Sequence, residues 1–94
     1  MLERAIEDRR VLSLDYRDEH GNITKREVRP LGLWFWGKVW TLVGWCELRE
    51  GFRTFRLDRI TVVTDAARTF RPERGKQLSD FYRCVELREG NGLS

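Results

Sequence analysis

Residues 37–60, GKVWTLVGWCELREGFRTFRLDRI, constrain the fold more than any other part of the chain. They open on an apolar run at 39–45 and close on Arg53, Arg56 and Arg59, placed three apart around Phe55 and Leu57. Residues 39–46 are rich in β-branched and aromatic side chains and carry apolar groups at both alternating phases, which predicts a strand covered on both faces. Arg49, Glu50 and Gly51 supply a turn, with Gly51 the residue suited to positive φ. Residues 52–57 return antiparallel, residues 58–60 turn a tight corner, and a β-branched run at 60–64 starts a further strand.

Ninety-four residues allow one small domain, and small domains bury a modest share of their surface, so each large aromatic side chain matters to the core. Trp34, Trp36, Trp40 and Trp45 all fall within twelve positions. Trp40 and Trp45 are expected in the core, with at least one of Trp34 and Trp36 exposed at a strand end or an interface.

Upstream, Leu2, Ala5, Ile6 and Arg9 mark one face of a short helix. Residues 11–17 alternate, with Leu12, Leu14 and Tyr16 on one side and Val11, Ser13 and Asp15 on the other, which predicts a half-buried strand. Gly21 and Asn22 mark a hairpin turn. Residues 23–36 are long for one strand, and Pro30 lacks a ladder donor, so a bend or an edge position is expected near residues 30–32. Such a bend is what closing a small barrel requires. Before it, Thr24, Arg26 and Val28 share one side, and Ile23, Lys25, Glu27 and Arg29 the other.

Downstream, residues 65–75 read as a connector whose Phe70 docks on the domain. Leu78, Phe81, Tyr82 and Val85 recur at helical spacing and predict a packed helix, with Ser79 as its N-cap and Gly90 as its stop. The whole is a mainly β chain of about five strands with a helix at each end.

Cys46 and Cys84 stand apart and the single histidine, His20, falls in a turn, so metal-ligand spacing is absent and both thiols are expected buried and inert. No nucleophile, base and orienting acid are set out together, which ranks catalysis last and implies no cofactor. No apolar run approaches membrane-spanning length. The start, MLERAIEDRR, is charged where a secretory signal needs an apolar centre, so a cytoplasmic protein is expected. The net charge of +3 is unevenly placed: residues 23–64 hold eight basic and four acidic side chains, whereas residues 1–22 hold four and six. That excess hints at an anionic partner for the sheet.

Five features in order carry a resemblance: Tyr16, a G-x-x-T-x-R hairpin at 21–26, R-P-L-G-L at 29–33, a tryptophan strand at 40–42, and F-R-x-F-R-L-D-R-I at 52–60. Together they closely resemble the WYL domain of bacterial helix-turn-helix transcription regulators, over residues 2 to 72. Thr41 departs from the naming triplet, leaving a small hydroxyl where the family has a tyrosine ring. The resemblance implies a five-stranded Sm-like, SH3-type antiparallel barrel over residues 1–72, with residues 73–94 as a helical extension or linker remnant. It also implies a sensor of an anionic ligand, single-stranded nucleic acid or a nucleotide, acting on an N-terminal helix-turn-helix domain outside this chain.

Guanidinium forks suit phosphate oxygens, so Arg53, Arg56 and Arg59 invite an anion site that Arg26 and Arg29 extend. Tyr16, Ser13 and Thr41 offer hydroxyls to the same ligand. The alternative is that these arginines pair internally with Asp58, Glu27, Glu47 or Asp15 and serve a dimerisation or interaction module.

Overall fold

The computed structural model describes residues 2–92. A short helix α1 (Leu2–Glu7) precedes five strands, β1 (Arg10–Arg17), β2 (Ile23–Trp36), β3 (Val39–Cys46), β4 (Gly51–Arg56) and β5 (Ile60–Thr69), and a helix α2 (Leu78–Gly92) follows. The strands form one antiparallel sheet in the order β4-β3-β2-β1-β5. The fold is mainly β with a helix at each end, as the sequence predicts. Closure into a barrel is not seen as a ladder, since β4 and β5 stand at opposite ends of the strand order.

One face of the bent sheet is the core. Ladder partners Leu12 and Val28, and Leu42 and Phe55, meet there with Leu14 and with Ala5 of α1. The bend lies where the proline places it. Pro30 pairs with Gly44 and Gly32 with Val43, so Leu31 is an extra residue in β2. Such a bulge kinks its strand and raises the local twist. Pro30 pairs with β3 alone, beyond the last β1–β2 partners Leu12 and Val28, so its missing N–H breaks no bond to β1.

Several expectations are corrected. Positive φ in the β3–β4 turn falls at Glu50 (φ 49), and Gly51 begins β4. β5 runs to Thr69 because Arg10 of β1 still pairs there, past a bulge in which Asp65 Oδ1 accepts the Ala67 N–H at 2.7 Å. The connector therefore starts at Phe70, whose N–H donates to Arg9 O at 2.9 Å. Gln77, not Ser79, stands before the first turn of α2. Its C=O accepts from Asp80 and Phe81 N–H, and its own N–H donates to the Asp80 carboxylate at 3.0 Å. That is half of a capping box. The helix also passes Gly90 and ends at Gly92. Cys46 is buried as expected, whereas Cys84 lies exposed on α2.

The second face of the sheet takes α2. Phe81 is buried, with its ring edge-on to Trp34 at 5.7 Å and to Phe52 at 5.7 Å, and Trp45 meets Phe52 at 5.2 Å. Gly32 lets the helix approach, since a Cβ there would lie 3.0 Å from Leu78 Cδ2. Trp40 is the exception among the expected core tryptophans: it is 52% exposed, because it lies at the hairpin tip beyond the rows that α1 and Phe55 cover. The Trp36 side chain falls outside the described residues.

A charged network fastens the connector to the sheet. Arg29 donates to Glu47 at 3.1 Å and to Glu73 at 2.8 Å, Arg68 reaches both Glu47 and Glu27, and Lys76 pairs with Glu73 at 3.1 Å. Lys76 also lies over the Trp45 ring, 5.1 Å from its centroid. The Arg68 hydrogen bond, assisted by that of Arg29, holds the Glu47 carboxyl below its ordinary range against the opposing effect of burial. A lowered carboxyl pKa stabilises the fold above the unfolded value, near 4.3 for Glu, and that contribution is lost as pH falls through the lower folded value. Thermal unfolding from pH 7 to 2 is expected to show a midpoint falling below about pH 4.3. Glu47→Gln should lower the midpoint at pH 7 and flatten that fall, whereas equal slopes in both proteins would remove Glu47 from the explanation.

Candidate functional site

Strand phase sorts the candidate residues before any contact is counted. Side chains three apart in a strand point to opposite faces, so Ser13 and Tyr16 diverge, as do Arg26 and Arg29, and Arg53 and Arg56. Arg26 pairs with Leu14, on the core side, while Ser13 pairs with Glu27 on the other. Six of the eight candidates therefore cannot form one continuous patch.

A smaller group does come together at the end of β4. Tyr16 sets its ring edge-on to Phe55 (centroids 5.1 Å, interplanar angle 81°), and its hydroxyl accepts the Arg56 N–H at 3.2 Å. This contact ties β1 to β4 across the gap that the ladder leaves open. Thr41 is buried and is the ladder partner of Arg56. Arg56 grips Asp58 with both arms of its guanidinium, Nε to Oδ1 at 3.1 Å and Nη2 to Oδ2 at 2.7 Å. The 3₁₀ turn at Leu57–Arg59 makes that pairing possible by folding Asp58 back under the strand end.

The electrostatics of this corner follow from its composition. The Arg56 hydrogen bonds hold the Asp58 carboxyl below its usual range, with a further through-space contribution from Arg59, and Asp58 in turn raises the Arg56 pKa. Arg59 forms no ion pair at contact distance among the described residues. It lines a shallow cleft with Arg17 at the end of β1 and with Asp18, Glu19 and His20 of the β1–β2 turn. Asp18 is spent locally: its carboxylate accepts from the His20 and Asn22 N–H groups at 2.8 and 2.9 Å. Arg17 and Arg59 thus share this cleft with two carboxylates, of which Asp18 is already engaged by backbone N–H groups.

Elsewhere the candidates have other surroundings. Arg29 is largely covered, held by Glu47 and Glu73, with its guanidinium over the Phe70 ring at 5.7 Å. Burial works against its charge, and the two carboxylates outweigh that cost. Arg53 lies beside α2, in a groove with Phe81 and Cys84.

Sequence reasoning missed one feature. Phe35 and Trp40 are ladder partners at the β2–β3 tip, 54% and 52% exposed, with ring centroids 5.3 Å apart. Their neighbours at the tip are Gly37 and Lys38, both at positive φ, and β3 packs against the 3₁₀ turn that carries Arg59. Residues 31–46 contain one charged side chain, Lys38. That depletion of carboxylates was the available signal.

Comparison with known proteins agrees with this architecture. A sequence model of the WYL domain matches residues 1–65. Among solved structures, proteasome accessory factor B/C (PafBC) of Arthrobacter aurescens superposes with a TM-score of 0.68 at 32% sequence identity, over 72% of this chain. The chain spans 11% of the length of that protein. The matched residues include all five motif stretches of the sequence and nearly the whole sheet, and the chain belongs to the WYL domain family.

Proposed function

We propose that this domain is the ligand-sensing part of a bacterial transcription regulator and binds single-stranded nucleic acid or a nucleotide. The observation that carries the reading is the corner at the end of β4, where Arg56 holds the Asp58 carboxylate, Arg59 acts on it through space, and the Tyr16 hydroxyl and Thr41 lie beside them. An arriving phosphate would compete with Asp58 for Arg56 and meet Arg59 directly. The exposed Phe35 and Trp40 rings stand on the opposite strand phase from Thr41 and Arg56, so they take part only where a bound strand wraps the hairpin tip, each base stacked there being worth ~1–3 kcal/mol. The chemistry is binding, and its consequence is passed to a helix-turn-helix domain of the regulator.

The competition with Asp58 is itself a switch element. Releasing Asp58 frees the 3₁₀ turn between β4 and β5, and the Tyr16 contact to the Arg56 N–H reports that movement to β1. Fluorescence anisotropy with a labelled 12-nucleotide single strand, the matching duplex and a cyclic dinucleotide tests the reading. Arg56→Ala and Arg59→Ala should each weaken binding at least several-fold, since one charge-assisted contact is worth about 1.5–3 kcal/mol. Arg59→Ala should move stability by less than about 0.5 kcal/mol. If both variants melt earlier with affinity per folded molecule unchanged, these arginines are structural braces.

A second reading rests on the same exposed rings: Phe35 and Trp40 as a contact between protomers. Light scattering separates the two, because self-association through Phe35 and Trp40 persists at high salt, whereas phosphate contacts do not.

A further inference from the structure

β4 is an end strand, paired with β3 alone. In an antiparallel pair, successive residues turn their N–H and C=O groups alternately toward the partner and away from it. Arg56 is turned away, because its N–H donates to the Tyr16 hydroxyl. Phe52 and Thr54 share its phase, so their N–H and C=O groups also face the open edge. Among the described residues, no hydrogen bond outside the ladder reaches those groups.

Helix α2 walls this edge. A groove between the two elements is lined by Phe52, Arg53 and Thr54 on the strand and by Phe81, Cys84 and Val85 on the helix. Its floor is apolar, with the Phe52 and Phe81 rings 5.7 Å apart. Arg53 lines the groove from the strand between Phe52 and Thr54, with its side chain on the opposite phase, and has no carboxylate at ion-pair distance among the described residues. An open strand edge beside a helix supplies main-chain hydrogen bonds for affinity and side-chain contacts for selection.

We propose that this groove receives an extended peptide segment as a further strand on β4. The residues opposite Phe52 and Thr54 exchange hydrogen bonds with them and, by strand phase, turn their side chains toward α2, where Phe81 and Val85 favour apolar groups. The residue between them turns to the other face, the phase of Arg53, where a carboxylate is favoured. The partner is therefore a segment with an acidic residue between two apolar ones. The anion-binding corner of the preceding proposal does not enter this prediction.

The test uses an acetylated, amidated pentapeptide Thr-Val-Glu-Val-Thr titrated into the isotope-labelled domain, with Thr-Val-Lys-Val-Thr as its control. The glutamate peptide should shift the resonances of residues 51–56 and 81–85, slow amide exchange at Phe52 and Thr54, and bind at least fivefold more tightly than the lysine peptide. Arg53→Glu should invert that order. Thr54→Pro removes an edge donor without a ladder bond and should abolish binding, and N-methylation of both peptide valines should weaken it at least tenfold with the protein unaltered. Three results overturn the proposal: equal affinity for both peptides, insensitivity to N-methylation, or no shifts at millimolar peptide. Sedimentation showing a dimer whose Phe52 and Thr54 amides are protected without peptide also overturns it, by assigning the edge to a second copy.

Discussion

Phe55→Ala is expected to bring the domain to the margin of folding. Phe55 is 1% exposed, lies opposite Leu42 in the ladder and stacks edge-on with Tyr16. Truncating a buried phenylalanine to alanine costs about 3–5 kcal/mol, through lost transfer energy and the cavity left behind. A chain of this length has a total stability of roughly 5–14 kcal/mol. The same change removes the packing that aims the Tyr16 hydroxyl at the Arg56 N–H, so the two ends of the sheet lose their cross-connection together with core volume. Urea denaturation checks this: the midpoint should fall steeply in Phe55→Ala and recover in large part in Phe55→Leu. A loss below about 1 kcal/mol would place the centre of the core elsewhere.

Gly44→Ala is expected to destabilise the sheet through overpacking. A Cβ at Gly44 would stand 2.3 Å from Val28 Cγ1 and 3.0 Å from the Arg29 carbonyl oxygen. Val28 is fully buried and the carbonyl is backbone, so neither can swing aside. Inserting a methyl into such a site costs about 1–3 kcal/mol, occasionally more. Gly44 is also the ladder partner of Pro30, next to the bulge at Leu31 that bends β2. The strain therefore falls where the sheet changes direction. Pairing Gly44→Ala with Val28→Ala should recover part of the loss, because the two sites share one volume and couple. Additive losses in the double variant would contradict that account.

Strand phase made much of this fold readable in advance, and the exceptions have physical reasons. The alternation at 11–17 placed Leu12, Leu14 and Tyr16 together against the core, where they lie. Pro30 announced the bend, although only the partner strand decides which residue is left unpaired. Trp40 has the pattern of a core residue. Its exposure depends on how far the β2–β3 hairpin outruns its neighbours, a property of sheet register that no local window contains. β5 looked short for a similar reason: residues 65–69 are strand because Arg10 is there to pair with Thr69.

The candidate site was legible in parts. The spacing of Arg53, Arg56 and Arg59 suggested one patch, yet a separation of three in a strand divides its ends between two faces. Which arginine meets which carboxylate was settled by distant chain, with Glu73 reaching Arg29 from the connector and Glu47 shared between Arg29 and Arg68. Asp58 lies within two residues of Arg56, and theirs was the one pairing open to local reasoning.

The ligand reading is tested most directly by the salt dependence of binding in the wild type and in Arg59→Ala. Each phosphate contact to a single strand contributes about −0.7 to the slope of log affinity against log salt. A labelled 12-nucleotide single strand is expected to bind the wild type with a clear negative slope, and Arg59→Ala should make that slope shallower by roughly 0.7 while the thermal midpoint stays in place. A slope unchanged by the substitution would contradict the assignment of Arg59 to a bound phosphate.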